Sequence, residues 1–301
     1  MMDRYDGTRL TDVCFEVGVH RLELADGQSF ELGPHRKYVG VSFVDCDLSH
    51  LSLTSCEFID CAFTNCKVRT TDFSHSTITD TTFTKCDLDS SAFLWTMLSS
   101  VVFADSDLSL SRFNMGELVD VLFLGCEMTG VKFIKAKLAD CLVECCAMSD
   151  VKGESTEFSK TSFVKNSTPI GYLKFQGVSF EDCVFTLNSF QATELVQCKL
   201  VSITCDRSSF WMSTLTGTTF DQCMLSHSGF NESDFTAVAF NETRIDACRF
   251  RAATFDEVVF ERTVVTHSSF EGADLVGSVL YDSTFDRNDL GEDTKFAARF
   301  S

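Results

Sequence analysis

The sequence predicts an all-β solenoid, in which the chain winds into a coil of short extended segments. Large apolar residues recur every five positions over residues 41–63, and we call them centres: Phe43, Leu48, Leu53, Phe58 and Phe63. Two positions before each centre lies a slot, which is filled by a small residue such as Cys46 or Cys56 (Leu51 is the exception). Residues two apart in an extended segment point to the same side, so slot and centre face inward together.

The period of five covers most of the chain in two runs. Centres continue from Phe43 to Phe163, where only Gly153 lacks a large side chain, and from Phe175 to Leu290, where only Cys205 is small. Of the 30 phenylalanines, 26 are centres. In the first run they alternate with mostly aliphatic centres at a period of ten and recur every twenty residues. We therefore expect four faces per turn, with Phe-rich faces opposite each other.

These repeats resemble those of the pentapeptide-repeat family, whose consensus places Ala and then Asp or Asn before a central Leu or Phe. Near-consensus copies are CDLSH, SDLSL, SDFTA and ADLVG, which begin at Cys46, Ser106, Ser233 and Ala273. The resemblance covers about residues 41–291. It implies a right-handed quadrilateral β-helix of twenty residues per turn, and the number of centres corresponds to about twelve turns.

Segments outside the repeat suggest a β-rich N-terminal cap and a short tail. The alternating stretch VCFEVGVHRLEL, followed by ADGQ and SFEL, is typical of two strands around a turn. A cap of this kind covers the open end of a solenoid. We divide the chain into an N-terminal cap (1–40), a first repeat segment (41–163), a protruding loop (164–174), a second repeat segment (175–291) and a C-terminal tail (292–301).

The register breaks between Phe163 and Phe175, which are twelve residues apart. If the Phe alternation continues, Phe175 occupies the next face and about seven extra residues remain. We therefore predict a continuous coil with an outward loop at residues 165–171. Its candidate residues are Lys165, Asn166, Pro169 and Gly171, and a proline fits a loop better than a sheet ladder.

The composition argues against several classes of function. A net charge of −19 disfavours direct binding to nucleic acid or to an anionic membrane and leaves basic proteins as partners. The N-terminus has no basic segment followed by an apolar run, and no stretch is long enough to span a membrane. We therefore expect a cytoplasmic protein.

The fifteen cysteines and six histidines give no sign of a metal site. Twelve cysteines occupy slots: Cys46, Cys56, Cys61, Cys66, Cys86, Cys126, Cys141, Cys146, Cys183, Cys198, Cys223 and Cys248. Other slots hold Ser, Thr, Ala or Val, so we expect cysteine to act as a small, reduced, buried residue. His227 and His267 share a column but lie two turns apart, roughly 10 Å at the strand spacing. Because the sequence also lacks known catalytic motifs, we expect neither an enzyme nor a cofactor.

Acidic residues recur in two columns. The first comprises Asp60, Asp80, Asp120 and Asp140, two positions after a centre, with Ser100 in the gap; the second comprises Asp47, Asp87, Asp107 and Glu127, one position before a centre. Two interpretations remain open. The repeat consensus favours Asp before the centre, or the columns form a linear anionic surface that resembles a DNA duplex.

Apolar residues at outward positions form two groups. The first contains Leu94, Trp95, Met97 and Met115, and the second contains Trp211 and Met212. They are either a partner surface or are covered by neighbouring side chains. Near the C-terminus, Phe296 and Phe300 lie outside the repeat. They either cover the last turn or join two copies in a twofold homodimer, which the family resemblance favours.

The resemblance also implies a function. Acidic pentapeptide-repeat proteins of the Qnr and MfpA-like group are dimeric rods that bind DNA gyrase or topoisomerase IV in place of DNA, and their loops help to engage the enzyme. We therefore expect a DNA-mimicking protein that modulates a type II topoisomerase and protects it from inhibitors. The alternative is a non-enzymatic interaction scaffold, such as an adaptor or a secreted bacterial effector.

Overall fold

The computed structural model describes residues 4–6, 9–11, 21–23, 29–169, 171–295 and 299–300 of the 301-residue chain. All regular secondary structure in these residues is β-strand, as predicted. The chain divides into two compact units, Met1–Ala147 (unit 1) and Met148–Ser301 (unit 2). Each unit is a parallel β-helix, and the two together contain about twelve turns. The predicted loop at 164–174 therefore lies within unit 2.

Unit 1 has four ladders, whose neighbouring segments pair in parallel, at a separation of twenty residues from residue 37 onwards. Ladder A contains β1 (Arg4–Asp6), β5 (Lys37–Val39), β7 (Glu57–Ile59), β9 (Thr77–Thr79), β11 (Met97–Ser99), β13 (Glu117–Val119) and β16 (Lys137–Ala139). Ladder B contains β2 (Arg9–Thr11), β6 (Ser42–Val44), β8 (Ala62–Thr64), β10 (Thr82–Thr84), β12 (Val102–Ala104), β14 (Leu122–Leu124) and β17 (Leu142–Glu144). Ladder C consists of single bridges through Asp47, Lys67, Asp87, Asp107, Glu127 and Ala147. Ladder D links Ser52, Asp72, Ala92, Arg112 and Lys132 in the same way and ends in β15 (Lys132–Ile134).

Unit 2 has the same organisation. Ladder E contains β19 (Glu157–Ser159), β22 (Ser179–Glu181), β25 (Lys199–Val201), β28 (Thr219–Asp221), β31 (Ala239–Asn241), β34 (Val259–Glu261), β36 (Val279–Tyr281) and β38 (Arg299–Phe300). Ladder F contains β20 (Ser162–Val164), β23 (Val184–Thr186), β26 (Thr204–Asp206), β29 (Met224–Ser226), β32 (Arg244–Asp246), β35 (Val264–Thr266) and β37 (Thr284–Asp286). Ladder G consists of bridges through Ser167, Ser189, Ser209, Gly229, Arg249, Ser269 and Asp289. Ladder H contains β18 (Lys152–Glu154), β21 (Lys174–Gln176), β24 (Glu194–Val196), β27 (Thr214–Thr216), β30 (Asp234–Thr236) and β33 (Thr254–Asp256).

The segment before the repeat is β-rich where the structure describes it, and it is more closely joined to the coil than predicted. The strands β3 (Arg21–Glu23) and β4 (Ser29–Glu31) pair in antiparallel fashion. The buried Phe30 ring lies 6.1 Å from that of Phe43, between centroids, and covers this end of the core. However, β1 and β2 pair with β5 and β6 at a separation of 33 residues, so they already belong to ladders A and B.

The boundary predicted at residue 40 is therefore wrong. Tyr38 is already a buried centre of ladder A, and its ring stacks on Phe58 at 4.9 Å. The sequence concealed this centre because its slot holds the large, charged Arg36, which pairs with Glu31 at 3.0 Å.

Slot side chains form hydrogen bonds inside the coil. The Ser76 hydroxyl donates to the Leu53 carbonyl oxygen at 2.9 Å and accepts from the Cys56 N–H at 2.9 Å. The Cys61 thiol donates to the carbonyl oxygens of Tyr38 and Ile59 at 3.5 and 3.4 Å. Cysteine therefore acts in these slots as a weak donor, and not only as a small hydrophobe.

All twelve predicted slot cysteines are buried, so the packing prediction is confirmed. Cys145, which is not in a slot, is exposed. Burial raises the pKa of the Cys141, Cys183 and Cys198 thiols to about 11. These thiols are therefore protonated and poorly nucleophilic at neutral pH.

Phenylalanine rings form the aromatic ladders that the alternation predicted. In unit 1, successive rings of ladder B stack, as between Phe63 and Phe83 at 4.5 Å and 6°. Rings of ladder D stack likewise, as between Phe73 and Phe93 at 5.0 Å and 6°. The two ladders meet edge to face across the core, for example between Phe73 and Phe83 at 6.1 Å and 84°.

The register break is an insertion of two residues, so the prediction of seven was wrong. Strands β18, β19 and β20 pair with β21, β22 and β23 at a separation of 22 residues, and the ladders of unit 2 continue through the break. Lys165 and Asn166 lie within the coil: the Lys165 N–H donates to the Thr186 carbonyl oxygen at 3.0 Å, and Asn166 is buried. The extra residues fall at 169–172, where Pro169 and Gly171 are exposed and Gly171 has a φ of 100°.

The phenylalanine pattern misled the prediction because it changes ladders at the insertion. Before the insertion, Phe163 lies in ladder F. After it, most phenylalanine centres fall in ladders E and G, as with Phe220 and Phe230. The twelve residues from Phe163 to Phe175 thus comprise two repeats of five residues and two inserted residues. Thr168 is the centre between these two phenylalanines.

The two small centres of the sequence are accommodated differently. A Cβ atom on Gly153 would lie 2.6 Å from the ring of Phe175, which fills the space above this glycine. Beside Cys205, by contrast, an apolar internal cavity of about 30 Å³ remains, lined by Phe185, Leu200 and Phe210 among others. The core of unit 2 is therefore less completely packed just after the insertion.

Removing the insertion tests the corrected register. We expect deletion of Gly171 and Tyr172 to leave the cooperative fold and its melting temperature nearly unchanged, because it restores a turn of twenty residues. Deleting Gly217 and Thr218 from a regular turn should unfold the following strands, because a regular turn has no residues to spare. Circular dichroism during thermal unfolding compares the two variants, and equal melting temperatures would contradict the assigned register.

The buried thiols predict a loss of stability at alkaline pH. Unfolded thiols ionise near pH 8.5, whereas the folded ones remain protonated to about pH 11. The unfolded state therefore releases protons first, and each thiol lowers the free energy of unfolding by about 1.4 kcal/mol per pH unit in this window. Replacing Cys141, Cys183 and Cys198 by Ser should reduce the fall in melting temperature between pH 8 and pH 10. An identical fall in both proteins would contradict this account.

Candidate functional site

The clearest surface feature of unit 1 is a row of acidic corner residues. At each corner one residue has a left-handed backbone, as at Asp60, Asp80, Asp120 and Asp140, with φ values of 55°, 49°, 56° and 55°. Aspartate is among the few residues with a side chain that tolerate this conformation well. All four side chains are exposed. We call these four residues the acidic ridge.

No ion pair neutralises the acidic ridge within the part of the chain that the structure describes. Among the described residues its one side-chain partner is Ser100, whose hydroxyl donates to Asp120 Oδ2 at 3.0 Å. Backbone hydrogen bonds fix the corners, as from the Asp60 N–H to the Thr79 carbonyl oxygen at 3.1 Å. Adjacent turns of a ladder are about 4.8 Å apart, so this ridge holds carboxylates close together without a cation between them.

The second acidic column differs, because basic residues interrupt it. In ladder C, Lys67 lies between Asp47 and Asp87. Arg69 pairs with Asp87 at 3.1 Å and with Asp89 at 3.4 Å. This column is therefore partly neutralised.

Its carboxylates also stabilise their own turns. Asp47 Oδ1 accepts the N–H of Ser49 at 3.1 Å, and Asp107 Oδ1 accepts that of Ser109 at 2.9 Å. Glu127 accepts the N–H of Thr129 at 3.1 Å in the same way. Such local bonds are a common structural reason for an acidic residue before a turn. The second column therefore has a structural explanation that the acidic ridge lacks.

The apolar residues singled out in the sequence lie on the surface, to different extents. Trp95 and Met97 are 56% and 55% exposed, whereas Leu94 and Met115 are half-buried. The Trp95 ring lies parallel to that of His75, with centroids 6.4 Å apart. In unit 2, Trp211 and Met212 are 39% and 51% exposed.

Two further exposed apolar residues of unit 1 escaped the sequence analysis. Leu110 is 55% exposed and Val119 is 46% exposed. Leu110 occupies a corner with a φ of 59°. The sequence could have revealed Leu110 as exposed, because it lies two residues after the centre Leu108, a position where polar residues are commoner.

Ladder A brings the acidic ridge and the apolar residues onto one face. Met97 belongs to β11 and Trp95 to the corner before it, whereas the acidic ridge follows the other end of the ladder A strands. Met97 lies between Thr77 and Glu117 in the ladder. Ser100, where the ridge is interrupted, ends the same segment as Trp95 and Met97.

The remaining predicted residues lie elsewhere. Phe296 is outside the described residues, and for Phe300 the structure gives the backbone pairing with Leu280. His227 and His267 each accompany an aspartate, with Nδ1 3.3 Å from Asp206 and 3.0 Å from Asp246. The Thr266 hydroxyl and then His267 hold the pKa of Asp246 below its usual value. Across the described residues, no three His, Cys, Asp or Glu side chains are placed to share a metal ion.

No helix long and apolar enough to cross a membrane occurs in the part of the chain that the structure describes.

Comparison with solved structures gives distant similarities. HetL, a pentapeptide repeat protein involved in heterocyst differentiation regulation from the cyanobacterium Nostoc sp. strain PCC 7120, is 14% identical, with 77% of this chain and 90% of HetL covered and a TM-score of 0.36. Full-length QnrB1, a plasmid-mediated fluoroquinolone resistance protein, is 15% identical, with 86% and 93% covered and a TM-score of 0.25. Similarity at this level gives no information about the function of this chain. No curated protein sequence matches it.

The repeat itself identifies the family. The family model for the pentapeptide repeat region matches residues 39–93, 76–152, 173–250 and 219–296, which together span most of the chain. Proteins with this fold are generally non-enzymatic structural or interaction proteins. The five-residue period, the slots and centres, and the twenty-residue turns all agree with this match. The chain belongs to the pentapeptide-repeat family.

Proposed function

We propose that this protein is a non-catalytic binding protein that presents the acidic ridge to a basic surface of a protein partner. The observation that carries the proposal is the contrast between the two acidic columns. The carboxylates of ladder C take part in turns and ion pairs, as with Asp87 and Arg69. Those of the acidic ridge are exposed and have no cation among the described residues.

A type II topoisomerase, DNA gyrase or topoisomerase IV, is the first partner to test. Its DNA-binding surface is basic, and a row of carboxylates can take the place of phosphates there. The acidic ridge has four charges over five turns, or roughly 19 Å at the strand spacing, which is sparser than the phosphates of a duplex. Binding would therefore rest on several weak charge contacts and would weaken as the salt concentration rises. Protection of the enzyme from inhibitors would follow from this competition with DNA.

An interaction scaffold, such as an adaptor or a secreted effector, is the second candidate. The exposed side chains of Trp95 and Met97 favour a scaffold, because a protein that only imitates the charges of DNA needs no apolar surface. A scaffold would bind its partner with little dependence on salt.

Dimerisation through the C-terminal end and a cytoplasmic location remain predictions. In the structure, Arg299 and Phe300 pair with Val279 and Leu280, which adds one short strand to ladder E. A twofold contact at this end would cover the outer edge of that strand.

Neutralising the acidic ridge tests the proposed function. We expect the variant with Asp60, Asp80, Asp120 and Asp140 changed to Asn to lose its effect on gyrase supercoiling, with and without a gyrase poison. Each single change should have a small effect, because an exposed ion pair contributes only about 0–1 kcal/mol. The fold should persist, because all four side chains point away from the core.

A matched control separates the acidic ridge from net charge. The exposed corner residues Asp182, Glu232, Glu257 and Asp282 of unit 2 also have left-handed backbones, and changing them to Asn or Gln removes the same charge. This control should retain the effect on supercoiling. If unmodified protein, well in excess of gyrase, neither changes supercoiling nor protects the enzyme, the topoisomerase proposal fails. If both variants behave alike, the acidic ridge has no special role.

A further inference from the structure

We propose that the outer face of ladder A in unit 1 is a composite docking surface. It fits a protein segment that carries a large apolar side chain with Lys or Arg on both sides. Trp95 and Met97 would receive the apolar side chain, and Asp80 and Asp120 the flanking cations. This inference deepens the proposed function and rests on it, because it specifies the chemistry of the partner that the acidic ridge binds.

The order of residues along ladder A supports a mixed surface. The acidic ridge is interrupted once, at Ser100, in the segment that also carries Trp95 and Met97. Asp80 and Asp120 therefore lie one turn to either side of the apolar residues, and Glu117 is the ladder neighbour of Met97. Along the chain, Met97 and Ser100 are three residues apart, or roughly 10 Å in extended backbone. An apolar centre is thus bordered by carboxylates on adjacent turns.

Fold stability does not explain Trp95 at this position. Its backbone has a φ of 57°, as other corners of the coil do, and Asp, Asn or Gly adopts this conformation more readily than tryptophan. The side chain is more than half exposed, so it gains little from burial in return. An exposed tryptophan and methionine bordered by charges match the centre and rim of a protein-binding surface.

The same face determines how a partner can bind. Strand β11 is paired on both sides, with β9 and with β13, so its backbone has no open edge for strand addition. A partner must therefore bind through its side chains, as a helix or loop that lies across the ladder. The carboxylates repel nucleic acid and anionic lipid, and the apolar centre favours a partner that is not purely basic.

Two synthetic peptides test this specificity directly. Both carry the same lysines, but one has a central leucine and the other a glutamine in its place. We expect the leucine peptide to bind about tenfold more tightly, or by about 1.4 kcal/mol, because contact with Trp95 and Met97 removes part of the leucine side chain from water. Fluorescence anisotropy of the labelled peptides measures both affinities.

Tryptophan fluorescence locates the contact. The chain has two tryptophans, so the Trp211→Phe variant leaves Trp95 as the sole reporter. The leucine peptide should shift its emission to shorter wavelength, and the glutamine peptide should not. Changing Trp95 and Met97 to Ala should abolish the preference for leucine, whereas Trp211→Ala should preserve it. The acidic-ridge variant should bind both peptides more weakly and still prefer the leucine peptide.

The outcomes distinguish this inference from the proposed function. Equal affinities for the two peptides, both lost in the acidic-ridge variant, would overturn the composite surface and leave the acidic ridge as a charge-only site. If the acidic-ridge variant binds the leucine peptide with undiminished affinity, the carboxylates have no role in this surface. Failure of both peptides to bind would also overturn the inference, while the supercoiling assay decides the topoisomerase proposal independently. Thermal melts of each variant check that the fold is retained.

Discussion

Both β-helices depend on hydrogen bonds to the backbone N–H and C=O groups that point into the core at the corners. The ladder strands are three residues long, so the chain turns repeatedly and directs some N–H and C=O groups into the core. Ser106 shows how they are paired: its hydroxyl donates to the Phe83 carbonyl oxygen at 3.2 Å and accepts the Cys86 N–H at 3.0 Å. A buried group without a partner would cost about 1–3 kcal/mol. The slots must therefore be small, and they benefit from a donor, which explains the frequency of Cys, Ser and Thr.

Much of the fold could be predicted from the sequence, because a period of five and a column spacing of twenty have few structural solutions. The failures have physical reasons. Tyr38 was missed because the slot before it holds Arg36, a side chain that leaves the core and pairs outside. The insertion was overestimated because the phenylalanines were assumed to keep their faces. Leucine and phenylalanine fill the same centres, so the core tolerates a change of ladder that the pattern alone could not reveal.

The sequence predicted where the acidic columns lie, but not which of their carboxylates have cationic or hydrogen-bonding partners. Both acidic columns were visible in the sequence, yet only three-dimensional pairing separates them. Lys67 lies in ladder C, and Arg69 close to its carboxylates, because residues twenty apart become neighbours. Hydrogen bonds to N–H groups of their own turns also engage these carboxylates. The acidic ridge lacks such cations among the described residues. The place of Trp95 on the same face as the ridge depends on which corners border ladder A, and the five-residue period alone does not show this.

The two-residue insertion at 169–172 also shows where this architecture tolerates change in length. Closing a loop of 22 residues instead of 20 costs only about 0.1 kcal/mol more in chain entropy. A corner can thus gain residues almost without thermodynamic cost, provided that the next strand returns to its ladder. A residue gained inside a three-residue strand would instead reverse which side chains face the core. Insertions, tags and grafted peptides therefore belong at corners such as Gly171, where the chain already departs from its period.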